Sequence, residues 1–339
     1  VLRLLGTLVT VVAAIAAAVL TWPGFFRVGQ VFPVTQVIAF RGVVTAAFGL
    51  LLLLCLLLAA VRRLRRFLLS LAFVMAVAVV ANLVVLAGRG LGNATLPDKT
   101  DGSIRVMTWN TAGDATSAQT IAQTAVAMRA DVVSLPETTI DTGAAVAVAM
   151  RELGQPMWAY HTEYGVDGWA ADSTTLLISP GMGDYAVVAS AQDGTSNTST
   201  VPSVVAMPTN GSGPIIVAAH AVAPRQSAMA DWRHDLRWLA DQCAADDVIM
   251  AGDFNATLDH MAGLGTDGGT LGRCTDAAAT SGTGAVGTWP TSLPALAGAP
   301  VDHVLTTSAW RSTGSVVLSS LDGSGSDHRP LVVQLDRTG

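Results

Sequence analysis

The first 96 residues contain neither Asp nor Glu, and the whole chain of 339 residues has a single Lys, Lys99. Only 13% of residues are charged and 6% are aromatic, whereas 51% are hydrophobic. So apolar a composition excludes a disordered or collagen-like chain and a basic nucleic-acid tail. Cysteine is scarce as well, at three, and no Cys or His cluster has the spacing of a zinc site.

The missing acid divides the chain. Eight Arg lie before residue 97, giving that part +8, while beyond it eleven Lys plus Arg face all 25 acidic residues, giving −14. Leu4–Phe26, Gly42–Val61 and Phe67–Gly88 carry no charge, and each is close to the roughly 20 residues a helix needs to cross a bilayer. Residues 1–90 therefore read as a three-span transmembrane anchor. A signal peptide in the first run is the lesser reading, because two further runs follow and no small-residue cleavage pattern stands out near Thr21–Phe26.

Arg62-Arg63-Leu64-Arg65-Arg66 between the second and third runs belongs on the cytoplasmic side. The amino terminus is then inside, and the loop 22–36 and everything after the third span are outside. This is a multi-pass plasma-membrane protein with an extracytoplasmic domain. Its preference for Arg over Lys, with abundant Ala, Val and Gly, is that of a GC-rich bacterial genome. Arg41 is expected near the outer interface, snorkelling to water or, as the second reading, binding a lipid phosphate. Cys243 and Cys274 both fall outside, where a disulfide closing a loop of about 30 residues is expected; two buried thiols are the other reading.

Residues 91–103, rich in Gly, Asn, Thr, Pro and Asp, read as a linker, and 104–339 as the soluble domain. Short β-branched runs there read as about nine strands: 104–109, 131–135, 174–178, 203–207, 215–220, 248–251, 301–305, 315–318 and 331–335. Helices are expected at 117–129, 142–153 and 227–243, each amphipathic at the 3.6-residue period. Such a pattern buries its core as two packed sheets covered by helices.

Polar residues gather at the strand ends, where positions far apart in sequence converge. The blocks are Thr108-Trp109-Asn110, Leu135-Pro136-Glu137, His220, Gly252-Asp253-Phe254-Asn255, Asp302-His303-Val304 and Ser326-Asp327-His328-Arg329-Pro330. In this order they resemble the endonuclease/exonuclease/phosphatase (DNase I-like) family, over the whole of Ile104–Leu335. The resemblance implies a four-layer α/β sandwich, two mixed β-sheets flanked by helices, and divalent-metal-dependent hydrolysis of phosphate esters. Pro136 stands where the family often has Gln. The stretch between Glu137 and Thr174 carries no recognised motif, and this is where family members add substrate contacts.

The chemistry asks for charge neutralisation, a deprotonated water and help for the leaving group. Glu137 is the metal ligand the resemblance implies, with Asn110 and Asp327 beside it, and hard oxygen donors suit Mg²⁺, or alternatively Mn²⁺ or Ca²⁺. His328 is the expected general base, since imidazole titrates near neutral pH. Asp302 would fix its tautomer, as a buried carboxylate does in the serine-protease triad. Asp253 would assist the leaving group or position the nucleophile, while Asn255, Asn110 and His220 donate to the phosphoryl oxygens. Arg329 is expected to support its loop, and His303 not to be catalytic. His161, His234 and His260 belong to no block and read as solvent or packing residues. Gly263–Gly272 lacks the Lys and helix start of a phosphate loop. Trp158, Trp169, Trp232, Trp238 and Trp289 could line an apolar groove, but core packing is the better reading for most of them.

A domain at −14 disfavours a nucleic-acid backbone. A membrane-anchored phosphodiesterase or phosphatase acting outside the cytoplasm, on a lipid-borne phosphate, is the first reading. An extracellular nuclease using Arg225, Arg233 and Arg237 is the alternative, and a non-catalytic membrane interaction module the third.

Overall fold

The computed structural model describes residues 2–92, 95–165 and 170–338. Trp169 and, in the linker, Asn93 and Ala94 lie outside the described residues. The chain opens with α1 (Leu2–Thr21), the short α2 (Val34–Ala39), α3 (Arg41–Leu58) and α4 (Arg65–Arg89). Of these, α1, α3 and α4 are long and apolar enough to cross a membrane. Leu50, Leu57, Phe73 and Val84 point outward and stay exposed, while Ala17, Phe48, Met75 and Ala78 pack between the helices. Small residues at such seams let helices approach closely.

Beyond these helices, two six-stranded mixed sheets pack face to face. The first runs in the order β11-β12-β1-β2-β4-β3, from β1 (Ser103–Thr108), β2 (Val132–Pro136), β3 (Trp158–Glu163), β4 (Ser173–Ile178), β11 (Trp310–Val317) and β12 (Leu331–Arg337). The second runs β5-β6-β7-β8-β10-β9, from β5 (Tyr185–Val187), β6 (Val204–Pro208), β7 (Ile215–His220), β8 (Val248–Asp253), β9 (Thr275–Asp276) and β10 (Asp302–Thr306). β1 and β2 are parallel, as are β7 and β8; the remaining pairs are antiparallel. β3, β5 and β9 escaped the sequence reading. β3 is a half-exposed edge strand, while β5 and β9 have three and two residues, too short for an alternation to register.

Alternation sorts each strand between two layers. Val106, Val132, Leu176, Ile216, Ile249 and Val304 face the seam between the sheets. Their neighbours Met107, Val133 and Leu177 face outward beneath α5 (Ala118–Ala127) and α6 (Ile140–Glu152). On the other side Val217, Ala219 and Met250 lie beneath α8 (Met229–Gln242), whose Trp232, Leu236 and Leu239 are fully buried. Each such side chain contributes about 1.5–3 kcal/mol. Ser117 and Thr139 start α5 and α6 by accepting the N–H of Thr120 and Thr142. The short helices α7 (Ala189–Gln192), α9 (Leu258–Met261) and α10 (Ala277–Thr280) complete the four-layer sandwich. Cys243 and Cys274 are bonded, fastening the end of α8 to the loop before β9.

One expectation needs correction. Arg41 does not snorkel, nor is it free for a lipid phosphate. It is buried, with Nε and Nη2 donating to Asp259 Oδ2 and Oδ1 at 3.0 and 2.7 Å and Nη1 to Asn82 Oδ1 at 2.6 Å. A buried guanidinium needs such partners, and Asp259 was invisible as one because it lies 218 residues away. The linker, for its part, is held at several points: Arg105 donates to the Pro97 carbonyl at 2.7 Å, and Lys99 pairs with Asp131 at 2.6 Å.

Candidate active site

Strand register assembles the site. His220 pairs with Asp253 across β7 and β8, and Asp253 with Asp302 across β8 and β10. Cross-strand partners share a face, here the one that carries Ala218, Ala251 and Val304 into the seam. The three polar side chains therefore cap one end of the inter-sheet core, where Asn110 and Glu137 arrive from the ends of β1 and β2. Gly252 lets β7 come this close: a Cβ on it would lie 1.9 Å from the Ala219 carbonyl oxygen.

His328, just before β12, completes the cluster. Its Nδ1 lies 2.8 Å from Asp302 Oδ2, and its Nε2 is 3.9 Å from Asp253 Oδ2 and 4.0 Å from Asp327 Oδ1. The loop is pinned from three sides. Trp109 Nε1 donates to the His328 carbonyl at 2.9 Å, Ser326 Oγ accepts from the His328 N–H at 2.9 Å, and Ser326 in turn donates to the Asn110 carbonyl at 2.6 Å. Arg329 is fully buried and supports the loop: it donates to the carbonyls of Gly287, Pro290, Thr291 and Leu293 and pairs with Asp322 at 2.7 Å.

Asn110 Nδ2 bridges two carboxylates, donating to Glu137 Oε1 and Asp253 Oδ2, each at 3.0 Å. Asn255 Nδ2 donates to the Ala221 carbonyl at 2.9 Å and to Asp253 Oδ2 at 3.3 Å. Both amides thus hold the Asp253 carboxylate, and Asn110 holds Glu137 as well. Glu137 and Asn255 hold φ of +53° and +45°. For residues with a side chain this left-handed backbone costs about 1–3 kcal/mol, strain that collects at functional sites.

Electrostatics separates the two histidines. Burial and the neighbouring His328 push His220 down to about 3, so its ring is neutral and the 3.8 Å approach to Glu137 is a polar contact, not an ion pair. Burial works against the charged form of His328 too, but the carboxylates of Asp302 and Asp253 outweigh it and move its pKa upward. Asp253 is also raised, by burial and by Asp302.

The residues fit a hard divalent cation. Asp253, Asp302 and His328 present ligand atoms within 4.8 Å of one another. Among the described residues, buried Asp302 Oδ1 has no hydrogen-bond partner, and the carboxylates of Glu137 and Asp327 stand close by, so the cluster is rich in negative charge. Asp327 stands next to His328, with Oδ1 4.0 Å from its Nε2, and accepts from Trp289 Nε1 at 2.8 Å.

Sequence reasoning missed the roles of Trp289 and of the buried pair His303–Asp276. His303 Nδ1 lies 2.6 Å from Asp276 and its Nε2 2.8 Å from the Ala256 carbonyl, beneath the Asp253–Asn255 turn. No local pattern marks a pair 27 residues apart.

The profile of the Endonuclease/Exonuclease/phosphatase family matches residues 107–328. The chain belongs to that family. Endonuclease/exonuclease/phosphatase members are metal-dependent hydrolases of phosphate esters, nucleases and phosphodiesterases among them. Among solved structures, the endonuclease/exonuclease/phosphatase of Beutenbergia cavernae is similar at 21% identity and TM-score 0.52, over 70% of this chain and 72% of that one. D. rerio TDP2 complexed with a single-strand DNA product matches at 17% and 0.52, over 70% of this chain and all of that one. A Bacteroides vulgatus family member matches at 15% and 0.51, over 71% and 100%. These likenesses support the fold. No curated protein matches the chain.

Proposed function

We propose that the protein is a membrane-anchored, divalent-metal-dependent phosphodiesterase or phosphatase that hydrolyses lipid-borne phosphate outside the cytoplasm. The observation that carries the chemistry is the Asp302–His328 pair, whose outer nitrogen faces Asp253. With Nδ1–H given to Asp302, the Nε2 lone pair points to the space shared with Asp253, where a water can be held and lose its proton to the imidazole. The water oxygen bonds to phosphorus in line as the ester bond opposite breaks, without a covalent enzyme intermediate. A cation held by Glu137 and its neighbouring carboxylates, Mg²⁺ by donor type, would offset the phosphate charge and the carboxylate field that keeps a proton on His328. Asn110 and Asn255 keep Asp253 and Glu137 aimed during the reaction.

Location rests on separate observations. Arg3 and the Arg62–Arg66 cluster lie at one end of the spans, and the catalytic domain at the other. The Cys243–Cys274 bond fits an oxidising compartment. Lipid-borne phosphate suits a site tethered by three spans on a domain at −14. The nuclease reading draws on the likeness to DNA-bound D. rerio TDP2. Against it, Arg233, one of three Arg available for a phosphate patch, is committed to the Gln30 carbonyl at 3.1 Å.

The test uses the full chain in detergent with bis(p-nitrophenyl) phosphate, DNA and phospholipid, with Mg²⁺ or EDTA. Ester hydrolysis that needs Mg²⁺ and disappears in His328→Ala supports the reading. Hydrolysis indifferent to both overturns it, and rapid DNA cleavage without lipid turnover replaces it with the nuclease.

A further inference from the structure

The loops that leave the catalytic rim run straight into the anchor. Four residues beyond His220, the Pro224 carbonyl accepts from Gln36 Nε2 at 2.5 Å. Four beyond Asn255, Asp259 is clasped by two guanidinium groups: Arg41 from the start of α3, and Arg89 from the end of α4, which donates at 2.7 and 2.8 Å. The next residue, His260, donates from Nε2 to the Thr35 carbonyl at 3.0 Å and accepts Gln30 Nε2 on its own carbonyl at 2.8 Å. Ahead of Asp302, the backbone at Leu296 lies so near Gly42 that a Cβ there would sit 1.8 Å from its carbonyl oxygen. Trp289, whose N–H goes to Asp327, sets its ring 5.8 Å from that of Phe40.

These contacts have one direction in common. Thr21, Arg41 and Arg89 mark the same end of the three spans; Arg41 and Arg89 clasp Asp259, and Arg41 ties in α1 by reaching the Thr21 carbonyl at 3.2 Å. A buried carboxylate satisfied only by residues of the anchor is a built joint, not a chance contact along a flexible tether.

We infer that the anchor and the sandwich form one docked unit, with Asp259, Arg41 and Arg89 as positioning residues that hold the catalytic rim at the membrane surface. The substrate is then a phosphate ester on the headgroup of a lipid in the same leaflet. This rests on the phosphoesterase reading above. A rim fixed at the surface meets such headgroups at a set height, whereas the headgroups of another vesicle are not presented to a rim that faces its own bilayer. Soluble esters need no such alignment.

The test reconstitutes the full chain into phosphatidylglycerol-containing vesicles. It compares hydrolysis of fluorescent phosphatidylglycerol in the same vesicles, the same lipid in protein-free vesicles, and soluble bis(p-nitrophenyl) phosphate. The wild type is expected to cleave the same-vesicle lipid at least tenfold faster than the separate one. Asp259→Asn is expected to cut the same-vesicle rate at least tenfold and the soluble rate less than twofold, while hydrogen exchange rises in 34–39 and 258–261. Gln36→Ala combined with Arg233→Ala, a milder lesion of the same joint, should shift the ratio the same way by about threefold, covering the case in which Asp259→Asn fails to fold. Equal rates on the two vesicle populations overturn the inference, as do parallel losses on lipid and soluble ester. Turnover of the soluble ester with neither lipid cleaved also overturns it and leaves the phosphoesterase reading standing; no turnover of any ester overturns both.

Discussion

His328 and Asp302 meet through Nδ1 and Oδ2 at 2.8 Å, and the same carboxylate keeps its other oxygen buried without a partner. The pairing fixes which nitrogen of the ring faces Asp253. His328→Ala should lower kcat for a soluble phosphodiester by about 10²–10⁴, with KM little changed, as removal of a general base does. Asp302→Asn should approach that loss by releasing the ring to the wrong tautomer. Steady-state kinetics on the two variants decides it; wild-type kcat in either would remove that residue from the mechanism.

Glu137 should control metal affinity. Glu137→Gln keeps the shape but removes a charge, so the Mg²⁺ concentration for half-maximal activity should rise by tenfold or more. EDTA should abolish wild-type activity and added Mg²⁺ restore it. A metal titration of both proteins measures this directly.

His303 has an acceptor at each ring nitrogen, Asp276 and the Ala256 carbonyl, so both nitrogens carry protons in this arrangement. Burial opposes the charge, and Asp276 more than offsets it, moving the pKa upward. His303→Leu leaves the buried Asp276 carboxylate with only the Ala279 N–H on its Oδ1 and no partner for Oδ2, which should cost about 3–5 kcal/mol. Thermal unfolding should show the loss even in variants already inactive through His328→Ala.

The Cys243–Cys274 bond closes a loop across 31 positions. A Cys243→Ser, Cys274→Ser double variant should lose about 3–4 kcal/mol, a fall of roughly 10 °C in apparent Tm. Dithiothreitol should lower the wild-type Tm and leave that of the double variant unchanged.

Acid should open the joint at Asp259. Burial raises the pKa of this carboxyl, but Arg89 and Arg41 outweigh it and hold it well below the usual carboxylate range. A depressed folded pKa stabilises wherever the unfolded group, near 3.9, is already ionised. The contribution is therefore complete above about pH 4 and falls as pH drops toward the folded value. Hydrogen exchange in 258–261 should accelerate over that range in the wild type and show no such step in Asp259→Asn.

Fold and site differed in how much of each was legible. β1, β2, β7 and β8 were readable because they are short, mostly buried stretches rich in β-branched and apolar residues that run into polar ones, and those endings named the site. β3 was not, since an edge strand with polar residues on both faces has no period to detect. Glu137, Asp253 and His328 carried the family pattern, yet the orientation of the two carboxylates by Asn110 and Asn255, and of His328 by Asp302, is a property of three dimensions. The Arg41–Asp259 pair was hidden for a different reason. Before folding, Arg41 resembles any interfacial arginine, and its partner lies in the one-turn helix α9, which carries no motif.

Gly252 carries a consequence for the chemistry. Sliding β8 by one residue against β7 would put Ala251 or Asp253 opposite Ala219, where the backbones leave no room for a Cβ. The same slip would turn Asp253 away from His328. The absence of a single methyl group thus works as a steric check on alignment: a strand seated out of step cannot close, and a sandwich that does close already has its catalytic carboxylates facing each other.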